Sequence, residues 1–570
     1  MKRLILISFA LMVALVSHAI MIDPADFRVV CKDGSVAYYS GLYTTLTFSE
    51  DASLLYITTG LPTNDEYEDG YDYEDGSEDV VCYAVDGIEA IEFAEGGAYR
   101  DMYSYDGAHV DVAIDPTDDT SYNEVAEKVI TDAADGDYGD FIENYTPTNR
   151  VTITYDGEKA TVSASGKTVT NGDKATSIIS GVLVMPIQNG HVIISSTKKN
   201  IAYTLKGTTT NGSFKLYSDY KTQVTMQGIN ITNPTGAAVN IQSGKTIMVE
   251  LADGTANTLK DGTTYTMTTG EDQKGTFFSE GQLVFSGKGS LDVQSVGGHG
   301  IVSDDYVRMR SGNITVNSVR DGINTNDRFI MYGGVVNVTA QQDGLDIGKG
   351  YIEIGGGQLT VAAVDEGITA SYEGDDAGNI DPLITPYIDI KGGLIKVTTT
   401  GDKGHAVRAM STLGMTGGVL QATAKGAGAK AVMSEGNMTL TGGKLTAITE
   451  GNALYEADVQ ELSSAAALRS KGVLAIENMT VGAKSTGTGG KGINNVGNVA
   501  LKNSTVTVVA SGATHKHNAL DSRSRGVDTD GNLVIDGGSM HVRSYDEPLQ
   551  VAGTLTFSNS AVYSGYEVGE

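Results

Sequence analysis

Through the second half of this chain, apolar residues recur two apart in short runs, and the runs recur about every 22 residues. Gly300-Ile301, Gly322-Ile323, Gly344-Leu345 and Gly367-Ile368 follow one another at steps of 22, 22 and 23. Ile314/Val316, Val336/Val338 and Leu359/Val361 keep nearly the same step, as do Val307/Met309, Phe329/Met331 and Ile352/Ile354. A spacing of two buries one face of a strand. Three short strands per period, joined by Gly, Asn and Asp turns, predict one coil of a parallel β-helix. Coils stack at the inter-strand spacing of about 4.8 Å, so a polar residue repeated in register becomes a ladder along the outside. The expected fold is all-β, a right-handed parallel β-helix of about a dozen coils, since crossovers between parallel strands are right-handed. Ile301, Ile323, Leu345 and Ile368 are expected to form one inward column.

The coil pattern spans residues 147–566, from pairs such as Val224/Met226 and Ile229/Ile231 to Leu555/Phe557. Three stretches break the step, 370–386, 451–471 and 511–525. Insertions in a solenoid project from a turn, which makes these candidate groove walls. Residues 20–146 read as a small β-rich unit with strands near 43–48, 54–58 and 88–93. The end of a solenoid must be covered, so this unit is expected to cap the first coil. The stretch around 122–134 is the one good helix candidate.

At 570 residues the chain is too long for one compact core, but a solenoid adds core coil by coil. Residues 1–19 have the form of a cleavable export signal: Lys2 and Arg3, an apolar run at 4–16, then Ser17-His18-Ala19. That run is too short to span a bilayer, and no later stretch is suited to membrane insertion. The expected location is therefore outside the cytoplasm, secreted, periplasmic or at the cell surface, as a monomer. A net charge of −31 argues against nucleic acid and anionic membrane as partners. Part of it is the acidic run 65–79, which reads as a solvated loop. Cys31 and Cys82 either pair or stay as buried thiols, and spacing does not decide between them.

Register gives the remaining acidity meaning. The column before the repeated glycine holds His299, Asp321, Asp343 and Glu366, with Asp365 adjacent. Three positions on stand Val302, Asn324, Asp346 and Thr369, and a third column holds Asp305 and Asp327. Carboxylates one coil apart lie about 5 Å from each other, and a hard cation between them relieves their repulsion. Calcium takes oxygens from carboxylates, amides and backbone carbonyls, whereas softer metals want Cys or His. Asp321, Asn324, Asp327, Asp343, Asp346, Asp365 and Glu366 are the candidate calcium ligands. Taken singly, each Asp is equally suited to forming a turn. Tryptophan is absent, which leaves Tyr332, Tyr351 and Tyr372 as candidate sugar-stacking rings, with Tyr306 and Tyr387 near them. The alternative packs these rings along the core edge. A lyase would need a Lys or Arg base beside the metal, and Arg320, Arg328 and Lys349 are the basic residues close in register. His515-Lys516-His517 reads as part of a loop.

The run from Val249 to Leu259 (VELADGTANTL), Gly275-Thr276-Phe277-Phe278-Ser279, Gly289-Ser290-Leu291, Asp321-Gly322-Ile323-Asn324 and Asp343-Gly344-Leu345-Asp346 resemble a known family. It is the bacterial exported carbohydrate-binding domain family. Over residues 150–560 this resemblance implies a right-handed parallel β-helix, calcium sites and a polysaccharide-lyase-like shape. It also implies binding of cellulose or of an acidic polysaccharide such as pectate. Later coils lack the leading Asp, as in Lys491-Gly492-Ile493-Asn494 and Arg525-Gly526-Val527-Asp528. The functional expectation is calcium-dependent, non-catalytic polysaccharide binding, with a calcium-assisted lyase or a structural surface adhesin as alternatives.

Overall fold

The structure, a computed structural model, describes residues 3–4, 20–21, 27–32, 36–39, 44–49, 53–59, 79–93, 114, 121–374, 377–559 and 561–567. The export-signal stretch other than 3–4, and the acidic run other than 79, lie outside the described residues. The chain forms two compact units, one of residues 118–425 with 433–436, the other of 1–117, 426–432 and 437–570. Both are built of strands, as the alternating pattern requires. Among the described residues no helix is long and apolar enough to cross a membrane.

The first unit opens with an antiparallel meander, Asn149–Asp156, Lys159–Ala164 and Lys167–Thr170. Asn149–Asp156 then pairs in parallel with Ile201–Thr209, which starts the coils. Three parallel ladders follow, one per side of a β-helix. One runs through His299–Ser303, Ile323–Thr325, Leu345–Ile347, Ile368–Ala370 and Val407–Ala409. The second includes Tyr306–Met309, Arg328–Met331, Tyr351–Ile354 and Ile388–Ile390. The third includes Asn313–Ser318, Val335–Ala340, Gln358–Ala363 and Leu394–Thr399. Ile301, Ile323, Leu345 and Ile368 are register partners in succession and all are buried. The predicted inward column is present, and burying each such side chain stabilises the coil by about 1.5–3 kcal/mol.

The repeated glycine of coils such as those of Gly322 and Gly344 has a packing cause. A Cβ on Gly322 would lie 2.1 Å from Val338 Cγ1, and one on Gly344 would lie 2.2 Å from Val361 Cγ1. The turn brings the backbone onto a valine of the neighbouring ladder, leaving room for hydrogen only. Glycines with positive φ sit instead in the Gly-Gly corners, as at Gly334 and Gly357.

The expected helix near 122–134 does not form. Residues 121–132 have no regular structure. Their backbone groups bond to the coils instead, Val125 N–H to the Gly355 carbonyl (2.7 Å) and Gly393 N–H to the Asn123 carbonyl (2.8 Å). Two short 3-10 turns, Gly136–Asp140 and Ile142–Asn144, complete this arm. Of the insertions, 370–386 adds no strand beyond Ala370 among its described residues.

In the second unit, Ala466–Ser470, Lys491–Asn495, Val527–Thr529 and Leu549–Val551 form one parallel ladder. Leu474–Glu477, Val499–Ala510, Leu533–Ser544 and Leu555–Ser558 form another. Both insertions here are hairpins, Leu454–Glu456 with Glu461–Ser463 and His515–His517 with Leu520–Ser522. Tyr455 stacks on His517 at 4.0 Å, clasping the two together. The early strands Thr44–Phe48, Leu54–Thr59 and Ile88–Phe93 match the expected positions. The pairing found among the described residues is with the end of the repeat: Asp79–Ala84 pairs antiparallel with Val562–Glu567, so within this unit these strands cover the last coil. The first coil is closed by its own meander. Cys31 and Cys82 are separate buried thiols, and burial pushes the Cys82 thiol up to about 11.

Candidate functional site

The turn before each repeated glycine places one carboxylate per coil, and the next coil supplies an amide for it. Asp321 Oδ1 accepts from Asp343 N–H (3.2 Å), Asp343 Oδ1 from Glu366 N–H (2.8 Å), and Glu366 Oε2 from His405 N–H (2.9 Å). All three carboxylates thus tie one coil to the next through a backbone amide. The strand that follows adds the second column. Asn324 and Asp346 are register partners, and Asn324 Nδ2 donates to Asp346 Oδ2 (2.9 Å) and to Asp321 Oδ2 (3.0 Å). His299 Nδ1 lies 2.9 Å from the same Asp321 oxygen.

Asp321, Asn324, Asp343 and Asp346 are therefore one group, and its carboxyls differ electrostatically. Burial alone would raise Asp321, but His299, the Asp343 amide and Asn324 hold it below its ordinary value. Burial, then the charges of Asp321 and Asp346, pushes Asp343 up to about 8. Burial and Asp321 push Asp346 up to about 6. Two carboxyls thus resist ionising beside a third that is ionised.

The other candidate ligands stand apart. Glu366 faces Arg408 (3.4 Å), Asp365 is exposed, and Asp327 is exposed in a turn beside Asp305. Burial and Asp327 push Asp305 up to about 6. Among the described residues no three His, Cys, Asp or Glu side chains converge as a finished metal cage. The donors of the group are all oxygen apart from the Asn324 amide nitrogen and His299, which fits a hard cation and not a soft one.

The second unit carries the same positions with different charges. Lys491, Asn494, Arg525 and Asp528 occupy the columns that Asp321, Asn324, Asp343 and Asp346 occupy in the first. Here Asp528 is bound by Lys491 Nζ and by Arg525 Nη1 (3.2 Å). Arg525 also pairs with Glu547 (2.6 Å), which stands where Glu366 stands in the first unit.

The tyrosines are already committed. Tyr332 donates to Glu353, itself paired with Lys391 (2.6 Å). Tyr351 and Tyr387, opposite each other on adjacent coils, stack at 4.7 Å, and Arg328 donates to the Tyr351 hydroxyl (3.1 Å). Tyr372 is buried under the 370–386 insertion, where its hydroxyl accepts from Asp381 N–H (3.2 Å). Tyr306 is buried and donates to Asp140 (2.6 Å). None of these partners was legible in the repeat, because they come from other coils, the insertion or the arm. Arg328, one of the three candidate bases, is spent on Asp137 (2.7 Å), while Arg320 and Lys349 are exposed.

A family sequence model described as carbohydrate-binding domain-containing protein matches residues 188–489. A curated protein of that description from Acetivibrio thermocellus is 29% identical over 118 residues. The alignment covers 20% of this chain and 41% of the relative, so the chain spans about two-fifths of that protein's length. A solved structure described as a polysaccharide lyase-like protein from C. thermocellum, a gadolinium derivative, aligns at a TM-score of 0.33 and 22% identity. It covers 47% of this chain and 99% of its own.

Proposed function

This chain belongs to the carbohydrate-binding domain-containing family, and on that premise we propose that it binds polysaccharide outside the cytoplasm, with calcium as its cofactor and without cleaving the chain. Asp321, Asn324, Asp343 and Asp346 hold the cation in this reading, and the ligand lies along the coils.

The observation that supports a cation is the contrast between the two sets of equivalent positions. Asp528 has a lysine and an arginine beside it. Asp346, in the same column, has Asp321 and Asp343 there instead. Where the chain supplies no lysine or arginine, and only His299 on the Asp321 side, a divalent ion serves the same electrostatic purpose. An acidic polysaccharide would share that ion through its own carboxylates, because an anionic polymer meets repulsion from bare aspartates. Binding rather than cleavage fits the fate of Arg328, whose guanidinium is tied to Asp137 and Tyr351 and is not poised beside the carboxylates.

The test is retention on polygalacturonate and on cellulose, with calcium and with a chelator, beside an assay for unsaturated uronate products. Chelator should release the acidic polymer far more than the neutral one, and no unsaturated product should appear. Chelator-indifferent retention of polygalacturonate would remove calcium from the reading.

A further inference from the structure

Within the first unit, the arm of residues 121–145 lies along a groove on the outside of the coils. Its floor is the row of Gly-Gly corners. A Cβ on Gly392 would lie 2.7 Å from the Asn123 carbonyl oxygen, and one on Gly356 would lie 3.4 Å from Glu124 Cβ. Its wall is basic. Arg308 and Arg328 project outward from Tyr306–Met309 and Arg328–Met331, and Arg310 directly follows the first of these strands.

The arm meets these arginines with carboxylates. Arg308 pairs with Asp137 (2.9 Å), Asp140 (3.3 Å) and Glu127 (3.5 Å). Arg310 pairs with Glu127 (2.7 Å) and Glu143 (2.8 Å), and Arg328 with Asp137 (2.7 Å). Aromatic rings flank the guanidiniums, Phe141 at 4.6 Å from Arg310 and Tyr306 at 4.1 Å from Arg328. The match is loose in places. Glu127 Oε1 and Arg308 Nε reach their partners only at ion-pair distance, 3.5 and 3.3 Å, Arg328 Nε is buried without a hydrogen bond, and the Arg308 side chain is only 7% exposed. Such groups favour a partner that satisfies them better.

The two halves of the arm are held differently. Phe141 and Tyr145 are buried and anchor one end. Residues 123–126 are exposed and kept in place by backbone and side-chain hydrogen bonds, with little apolar burial. A segment held that way opens locally at lower cost than a packed one. The arm lies outside residues 188–489, the span matched to the family.

We propose that this arginine-walled groove is a second binding site, for a carboxylate-bearing polysaccharide, which the acidic arm occupies until the polymer displaces residues 121–137. This rests on the reading of the chain as a polysaccharide binder, but not on calcium. Guanidinium–carboxylate pairs, flanked by rings, recognise uronate groups directly.

The experiment uses the full chain and polygalacturonate in the presence of a chelator, so that the cation site is silent. Glu127→Gln combined with Asp137→Asn should bind on the order of tenfold tighter than the wild type, with the gain lost at high salt. Adding Arg310→Gln should cancel the gain. Unchanged affinity in the folded double variant, or a gain that survives Arg310→Gln, overturns the proposal. Hydrogen exchange on the wild type gives a second readout that needs no variant. The Val125 amide, bonded to Gly355, should exchange faster once polygalacturonate is added, and unchanged exchange under saturating polymer overturns the displacement. Failure of the wild type to bind any polysaccharide with calcium present would instead strike the family-level reading.

Discussion

Lys491 and Asp528 form an ion pair between successive coils at the very positions that Asp321 and Asp346 hold in the other unit. There the two aspartates are joined through the Asn324 amide. One column thus solves a charge problem with a side chain and the other leaves it open. Asp321→Lys would transplant the first solution onto the second. The wild type should gain about 2–3 kcal/mol of stability at calcium well above its dissociation constant. The variant should show little response. Thermal melts with calcium and with chelator decide, and an undiminished calcium shift in the variant would place the ion elsewhere.

Asp343 and Asp346 make a prediction about pH. Their folded carboxyls are raised to about 8 and about 6, so the folded state keeps protons that the unfolded chain releases near its ordinary value of 3.8. Stability from these groups is complete below that value and is lost as pH rises through about 6 and then about 8. Calcium needs the ionised forms, so its affinity should rise over the same window. Urea unfolding in chelator at about pH 5 and about pH 8, beside calcium titration calorimetry at both, measures the two opposed trends. Calcium affinity that is flat across the window counts against these ligands.

Gly322 and Gly344 should tolerate no methyl group. Gly322→Ala drives its Cβ toward Val338 Cγ1, and overpacking of this kind costs about 1–3 kcal/mol. The double variant with Val338→Ala should recover part of the loss, which a double-mutant cycle reads as favourable coupling. Strictly additive losses would mean that backbone geometry, not this contact, selects glycine.

Inward and outward positions on one coil should differ sharply. Leu345→Ala leaves a cavity in a buried column and should cost about 2–4 kcal/mol. Thr360→Ala, on an exposed position of the same coil, should stay within about 0.5 kcal/mol. Denaturant midpoints of the two variants give the comparison directly.

Short-range regularity was readable in the chain and long-range pairing was not. The period near 22 identified the Ile301, Ile323, Leu345 and Ile368 column because each coil obeys the same local rule. The grouping of Asp321, Asn324, Asp343 and Asp346 followed from the same arithmetic. What the period omitted are contacts between distant segments. Residues 122–134 have helical spacing, yet Asn123 and Val125 find backbone partners in Gly393 and Gly355, which no local pattern encodes. Tyr306 and Arg328 face the coil exterior, and only the arm's Asp140 and Asp137 explain their burial and pairing. Asp79–Ala84 is an apolar run after its first residue, and nothing in it points to Val562–Glu567 as its neighbour.

That last pairing gives the second unit a folding order. Leu54–Thr59 and Asp79–Ala84 are among the earliest strands to be synthesised, yet the outer edge of Asp79–Ala84 has no partner until Val562–Glu567 has been made. Coils can zip from neighbour to neighbour, but this closure spans nearly the whole length of the chain and must come late. Until then an apolar strand edge is open to other chains. Losing Val562–Glu567 would remove its ladders with both Leu533–Ser544 and Asp79–Ala84, and would leave behind an exposed edge suited to intermolecular pairing. For this chain, the residues that finish the sheet also act as its guard against aggregation.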